Sequence, residues 1–343
     1  MKLEYFTRPA SEQATIIRET AARRGLPLVM VEKDFWVSWM LAVLFAHPEF
    51  GKQLVFKGGT SLSKVFGAIE RFSEDIDLSV NPEFLGISEE QVERAESRTK
   101  RTQRMNELEA SCIERVRDWF TPELETIARE ALGERSGGGP WMEFQVDAVT
   151  HSPVLLFHYP CGGTTEFEYL KRSVKTEFGS LTDQKPVGTH TLRPWAADEF
   201  PNQFEDFRCD AVVLELERTF WEKATILHAE YHRDLSKPIP DRFSRHYSDV
   251  AALSRHASAS RAIADNELRQ RVTDWKSRFF ASTWSRYDRA VPGTFRLVPP
   301  EPRVSELERD YRAMRDMFLV EPPPFEQLLD SLGGLEKRIN EIA

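Results

Sequence analysis

The stretch Phe56 to Val80, FKGGTSLSKVFGAIERFSEDIDLSV, sets two adjacent glycines, a run of hydroxyls and two aspartates one residue apart close together. Asp75 and Asp77 stand at i and i+2 in the alternating DIDLSV. On a strand, Ile76, Leu78 and Val80 face one way and Asp75, Asp77 and Ser79 the other. Carboxylates so placed, roughly 6–7 Å apart at their α carbons, are close enough to grip one or two magnesium ions. Metals held this way activate an attacking oxygen and stabilise a leaving pyrophosphate in transfer at phosphorus. Gly58 and Gly59 fit the same chemistry. Without β carbons, backbone N–H groups at a helix start approach phosphate oxygens closely, and the helix dipole favours their charge. Each feature alone has a plain reading, a tight turn and a solvated strand face. Together they favour the chemical one. GGTSLSK lacks the glycine that precedes lysine in a Walker A loop, and protein kinase signatures are absent.

The elements that position these groups are readable in outline. EKDFWVSWMLAVLFAHPEF carries Phe35, Trp36, Trp39, Met40, Val43 and Leu44 at helical spacing and stops at Pro48, which predicts a buried helix. QLVF is a short core strand that the glycines break. TSLSKVFGAI, with Leu62, Val65, Phe66 and Ile69 at i, i+3, i+4 and i+7, is expected as a helix capped by Thr60 or Ser61. From about Ser88 to Leu132 the pattern is helical and charge-rich, an insertion ending in SGGGP. Strands resume in WMEFQVDAV, VLLFHYP and SVKTEFGSL, and helices dominate from Leu214 onward. PEP and EPPPF punctuate the C-terminal part.

Composition bounds the class. The 343 residues allow one large domain or two modest ones, and 41% hydrophobic with 29% charged residues is ordinary for a globular chain. No stretch approaches a membrane helix and the N-terminus lacks a signal-peptide core, so the expectation is cytoplasmic with no membrane partner. Cys112, Cys161 and Cys209 are far apart in sequence and read as free thiols. A net charge of −9 argues against coating nucleic acid by bulk attraction. His228, His232 and His246 sit in helical surroundings, and none is assigned to metal.

GGTSL followed by RFSEDIDL resembles the DNA polymerase beta type of nucleotidyltransferase, and specifically the AbiEii/AbiGii toxin family of bacterial toxin–antitoxin and abortive-infection systems. EKDFWV, ERTFWEKATILHAE, RHYSDVAAL, LERDYRAM and EPPPFEQLL look like further landmarks. The resemblance implies an α+β fold: a nucleotidyltransferase core with a short mixed sheet over residues 1–210, holding the helical insertion of about 88–139. A mostly helical region, 211–343, would complete the active-site cleft. It gives Gly58, Gly59, Thr60 and Ser61 to a nucleoside triphosphate, and Asp75 with Asp77 to Mg2+. A third carboxylate, metal ligand and base for the incoming hydroxyl, is Glu177 or Asp147; the family's strand acid matches Glu177.

The resemblance further places Lys223 beside the nucleotide, where its ammonium would neutralise triphosphate charge, although alone it reads as a snorkelling surface lysine. Asp249 looks like the family's late acidic residue, orienting Lys223 or Arg245. Lys57 and Arg71 are phosphate contacts or strand-end charges. Ser73, two residues before Asp75, is expected near the terminal phosphate, where a phosphoryl group would oppose metal and nucleotide. Relatives are associated with adding nucleotides to tRNA ends, which blocks translation, and a cognate antitoxin is expected. Basic residues at Arg98, Lys100, Arg101 and Arg104, and at Arg269, Arg271, Lys276, Arg278, Arg286 and Arg289 with Trp275, Phe279 and Trp284 among them, either hold RNA or form a solvated helix face. The alternatives are transfer to a protein or small molecule, and a catalytically silent nucleotide-binding protein.

Overall fold

The computed structural model describes residues 3–93, 97–160, 172–280 and 282–341. Its compact units are Met1–Val65 with Glu74–Val213, and Phe66–Ser73 with Leu214–Ala343.

The first unit opens with helices α1 (Ala10–Arg24) and α2 (Leu28–Ala46), then strand β1 (Leu54–Lys57), helix α3 (Gly58–Lys64) and strand β2 (Ile76–Val80). Helices α4 (Glu89–Glu93), α5 (Arg98–Arg115) and α6 (Thr121–Leu132) follow, the last two joined by a π-helical turn, Val116–Phe120. Strands β3 (Met142–Val146), β4 (Pro153–Phe157), β5 (Val174–Gly179) and β6 (Val187–Thr191), helix α7 (Trp195–Glu199) and strand β7 (Asp210–Leu214) complete it. Among the described residues the strands form one seven-stranded sheet in the order β3-β4-β5-β2-β1-β7-β6. β2 runs antiparallel to β1 and parallel to β5, so the sheet is mixed and the fold α+β.

Period-two alternation gives β2 and β5 a greasy side. Ile76, Leu78, Val174, Thr176 and Phe178 are all fully buried. α2 and the π-helical turn supply the cover, with Trp39 5.1 Å from Phe157 and Phe120 5.6 Å from Phe178 between ring centroids. The opposite side carries Asp77, Lys175 and Glu177.

The second unit is helical: α8 (Leu216–Tyr231), α9 (Ser244–Arg255), α10 (Ser258–Ala264), α11 (Asn266–Phe279), α12 (Glu301–Ala313) and α13 (Phe325–Asn340). Pro300 and Pro324 sit at the N-caps of α12 and α13, where the prolines of PEP and EPPPF mark helix starts. No helix among the described residues is long and apolar enough to cross a membrane.

The structure departs from the sequence reading in four places. α3 ends at Lys64 instead of running to Ile69, and Lys57 takes its N-cap position without a side-chain cap from Thr60 or Ser61. Residues 66–73 join the second unit, where Phe72 N donates to Met317 O at 2.7 Å and Leu319 N to Glu70 O at 2.9 Å. The apolar periodicity of Phe66 and Ile69 is thus spent on extended pairing. Helix α1 and strand β6 had no clear sequence signature, and the sequence reading leaves out β7. Cys112 and Cys209 are buried free thiols, whereas Cys161 lies outside the described residues.

Candidate active site

The acidic face is built by strand register. β1 places Lys57 opposite Asp77, and β5 places Glu177 opposite Asp77 on its other side. Residues paired across strands share a face, so Lys57, Asp77 and Glu177 form one row. Asp75 precedes β2 directly, and the hydroxyl of Thr60 donates to its backbone carbonyl at 2.5 Å. That bond ties the glycine turn to the first aspartate. The Ser61 hydroxyl donates to Gly58 O at 2.9 Å, so both buried hydroxyls brace the turn.

Gly58 has φ +85°, and a β carbon there would lie 2.0 Å from Oδ2 of Asp77. Glycine is required twice over, by the left-handed backbone and by the carboxylate packed on its α carbon.

The face is crowded with negative charge. Burial, then the neighbouring Glu74 and Glu177, push the Asp75 carboxyl above the usual carboxylate range, against the pull of Lys175 and Lys33. Asp75, Asp77 and Glu177 are oxygen donors of the type a hard divalent cation takes, and a cation relieves the crowding that Asp75 feels. The residue types therefore suit a hard divalent cation. Among the described residues no three acidic, histidine or cysteine side chains stand converged as a finished metal cage. The positive charge beside Glu177 is the ammonium of Lys175, with which it makes an ion pair.

Asp147, the other candidate for third carboxylate, is occupied elsewhere. Its Oδ1 accepts from the backbone N–H of Val149 at 2.9 Å and of Thr150 at 2.8 Å, holding the turn between β3 and β4. Those bonds hold its carboxyl below the usual range. Register brings Glu177, not Asp147, beside Asp77.

Sequence reasoning did not single out three further charges. Lys175 lies on the same strand face as Glu177. Lys33 and Asp34, consecutive on α2, are both buried: Lys33 pairs with Glu74, directly before Asp75, and Asp34 with Lys64, the last residue of α3. Asp34 also accepts from the backbone N–H of Trp195 at 2.8 Å. A buried, adjacent Lys–Asp pair in an apolar helix is itself a signal, because such charges persist only when partnered.

Within the second unit, Asp249 is wholly buried between two cations. Arg71 holds it with two bonds, 2.7 and 2.8 Å, and Lys223 Nζ lies 2.7 Å away. Burial alone raises a carboxyl, but Arg71 and Lys223 reverse that and hold Asp249 well below the usual range. Burial, with Arg71 and Arg245, lowers the Lys223 ammonium despite its pairing with Asp249. Lys223 is therefore no snorkelling surface lysine and Arg71 no strand-end charge. Ser73 is half-buried and ends the stretch grouped with this unit.

The basic and aromatic residues of α11 do not make an exposed platform. Trp275 and Phe279 are buried, Arg269 donates to Ala290 O at 2.7 Å, and Lys276 to Glu222 O at 2.8 Å. These side chains build the helical core. Arg98 and Lys100, in the first turn of α5, are exposed.

A family model described as the nucleotidyl transferase AbiEii toxin of type IV toxin–antitoxin systems matches residues 39–331, starting just after the EKDFWV segment. Among solved structures, the MenT4 nucleotidyltransferase toxin from Mycobacterium tuberculosis is similar in fold, with a TM-score of 0.50 and 16% identity over 96% of this chain and 90% of that one. No curated protein matches the sequence.

Proposed function

The chain belongs to the AbiEii family of nucleotidyltransferase toxins from type IV toxin–antitoxin systems, and from that premise we propose that it transfers a nucleotide from an NTP to RNA, in particular tRNA, with Mg2+ at the acidic face. The observation that carries the reading is the row Lys57–Asp77–Glu177, with Asp75 beside it and the Gly58 backbone against Asp77.

Asp75, Asp77 and Glu177 would hold the metal, which when bound screens the triphosphate and lowers the energy of the departing pyrophosphate. The chain's own groups have distinct tasks. Glu177 accepts the proton of the acceptor hydroxyl as that oxygen bonds to the α-phosphorus and the bond to the β-phosphate oxygen breaks. Backbone N–H groups of Gly59, Thr60 and Ser61, with the Lys57 ammonium, receive phosphate oxygens. Lys223 neutralises triphosphate charge, Asp249 fixes Lys223, and Arg71 serves as a structural partner of Asp249.

Family membership and the exposed basic turn of α5 support an RNA acceptor. Nucleotide added to a tRNA end blocks aminoacylation and hence translation, and a cognate antitoxin would restrain this in the cytoplasm. Incubation with each labelled NTP, Mg2+ and a cell extract, then separation of RNA, protein and small molecules, tests the reading. Label in tRNA supports it; label confined to protein or small molecules replaces the acceptor.

A further inference from the structure

Two lysines neutralise the carboxylates around Asp75, and they differ in freedom. Lys33, on α2, is buried against Glu74. Lys175 lies on the same strand face as Glu177, its side chain 32% exposed and that of its partner 29%. Its charge is also felt at Asp75 and Asp147. A long, partly exposed ammonium paired with a partly exposed carboxylate is held weakly and exchanges readily. Lys33 is fixed, whereas Lys175 can be displaced.

We propose that Lys175 is an internal counter-ion that competes with the divalent cation for Glu177 and so sets how tightly the acidic face binds metal. The inference rests on the assignment of Asp75, Asp77 and Glu177 as the metal-holding set. An oxygen of Glu177 that accepts from Lys175 offers less to a metal, and the ammonium cancels part of the field that attracts a dication. Lys175 is thus a positioning residue for metal uptake. Its effect appears in the affinity of the nucleotide-free protein, independent of turnover.

The test is Mn2+ binding to the full-length, nucleotide-free protein by electron paramagnetic resonance, with melting curves to confirm folding. Lys175→Met and Lys175→Gln are expected to bind Mn2+ roughly tenfold tighter than wild type. Lys175→Arg should stay near wild type, and Glu177→Gln should bind more weakly. Unchanged or weaker binding by the Met and Gln variants, with Glu177→Gln still weakened, overturns the counter-ion role and leaves the metal assignment standing. Wild-type binding by Glu177→Gln, or no binding by any form, overturns the metal assignment and this inference with it.

Discussion

The α carbon of Gly58 lies so close to the Asp77 carboxylate that a β carbon would stand 2.0 Å from Oδ2. The glycine turn and β2 are one mechanical unit, and a single methyl group forces them apart. Gly58→Ala is expected to cost about 1–3 kcal/mol of stability through backbone strain. It should also lower transfer roughly a hundredfold by moving Asp77. Melting curves and turnover check both; near-normal turnover would show that the contact does not position the carboxylate.

Asp75→Ala and Asp77→Ala remove half-buried carboxylates from the polar sheet face and leave the core untouched. Both variants are expected to fold, as judged by circular dichroism, and to lose transfer. Expression of wild type in a bacterium should arrest growth, and expression of Asp75→Ala should not. Growth arrest by a soluble Asp75→Ala variant contradicts the link between this site and toxicity.

Lys33 is buried and its partner Glu74 half-buried, so removing the ammonium leaves a partly shielded carboxylate unpaired. Lys33→Met is expected to destabilise by about 1–3 kcal/mol. The double change Lys33→Met with Glu74→Leu should recover most of that loss, measured by denaturant unfolding. A double variant no more stable than the single one contradicts the pairing.

In the second unit, Glu222 faces Lys276 and Arg218. Burial alone raises its carboxyl, and the two cations more than reverse this, bringing it to about 2. A depressed carboxylate contributes stability above its unfolded value and loses it on acidification. Stability of about 3 kcal/mol is expected to vanish as the pH falls from roughly 4.5 toward 2. Glu222→Gln should flatten that part of the profile, followed by denaturant unfolding at several pH values.

Lys223→Met keeps the apolar stem and removes the ammonium, while Asp249 retains both bonds to Arg71. The variant is therefore expected to fold and to bind NTP more weakly, with a lower rate. Unchanged affinity and rate in a folded variant would leave Lys223 with a structural role alone.

What the sequence made legible was local. DIDLSV carries the strand period, the paired glycines mark the turn, and α2 is written in its aromatic spacing. The unread parts depend on distant partners. Residues 66–73 continue an apolar helical pattern, yet Ile69 and Phe72 are buried through pairing near Met317, a tertiary choice that periodicity does not encode. Lys33 meets Glu74 and Arg71 meets Asp249 across 41 and 178 residues, respectively. That Glu177 and not Asp147 stands beside Asp77 follows from the β2–β5 register, which the sequence does not spell out. β7 was within reach, since DAVVL is a short apolar run of strand type.

The central claim, nucleotide transfer to RNA at the Asp75–Asp77–Glu177 face, is tested most directly by incubating purified protein with α-labelled NTPs, Mg2+ and total bacterial RNA, beside the Asp77→Ala variant. The account predicts label in the tRNA band, equimolar pyrophosphate release, dependence on Mg2+, and no label with Asp77→Ala. RNA left unlabelled by folded wild-type protein with every NTP, or labelling that persists in Asp77→Ala, contradicts it.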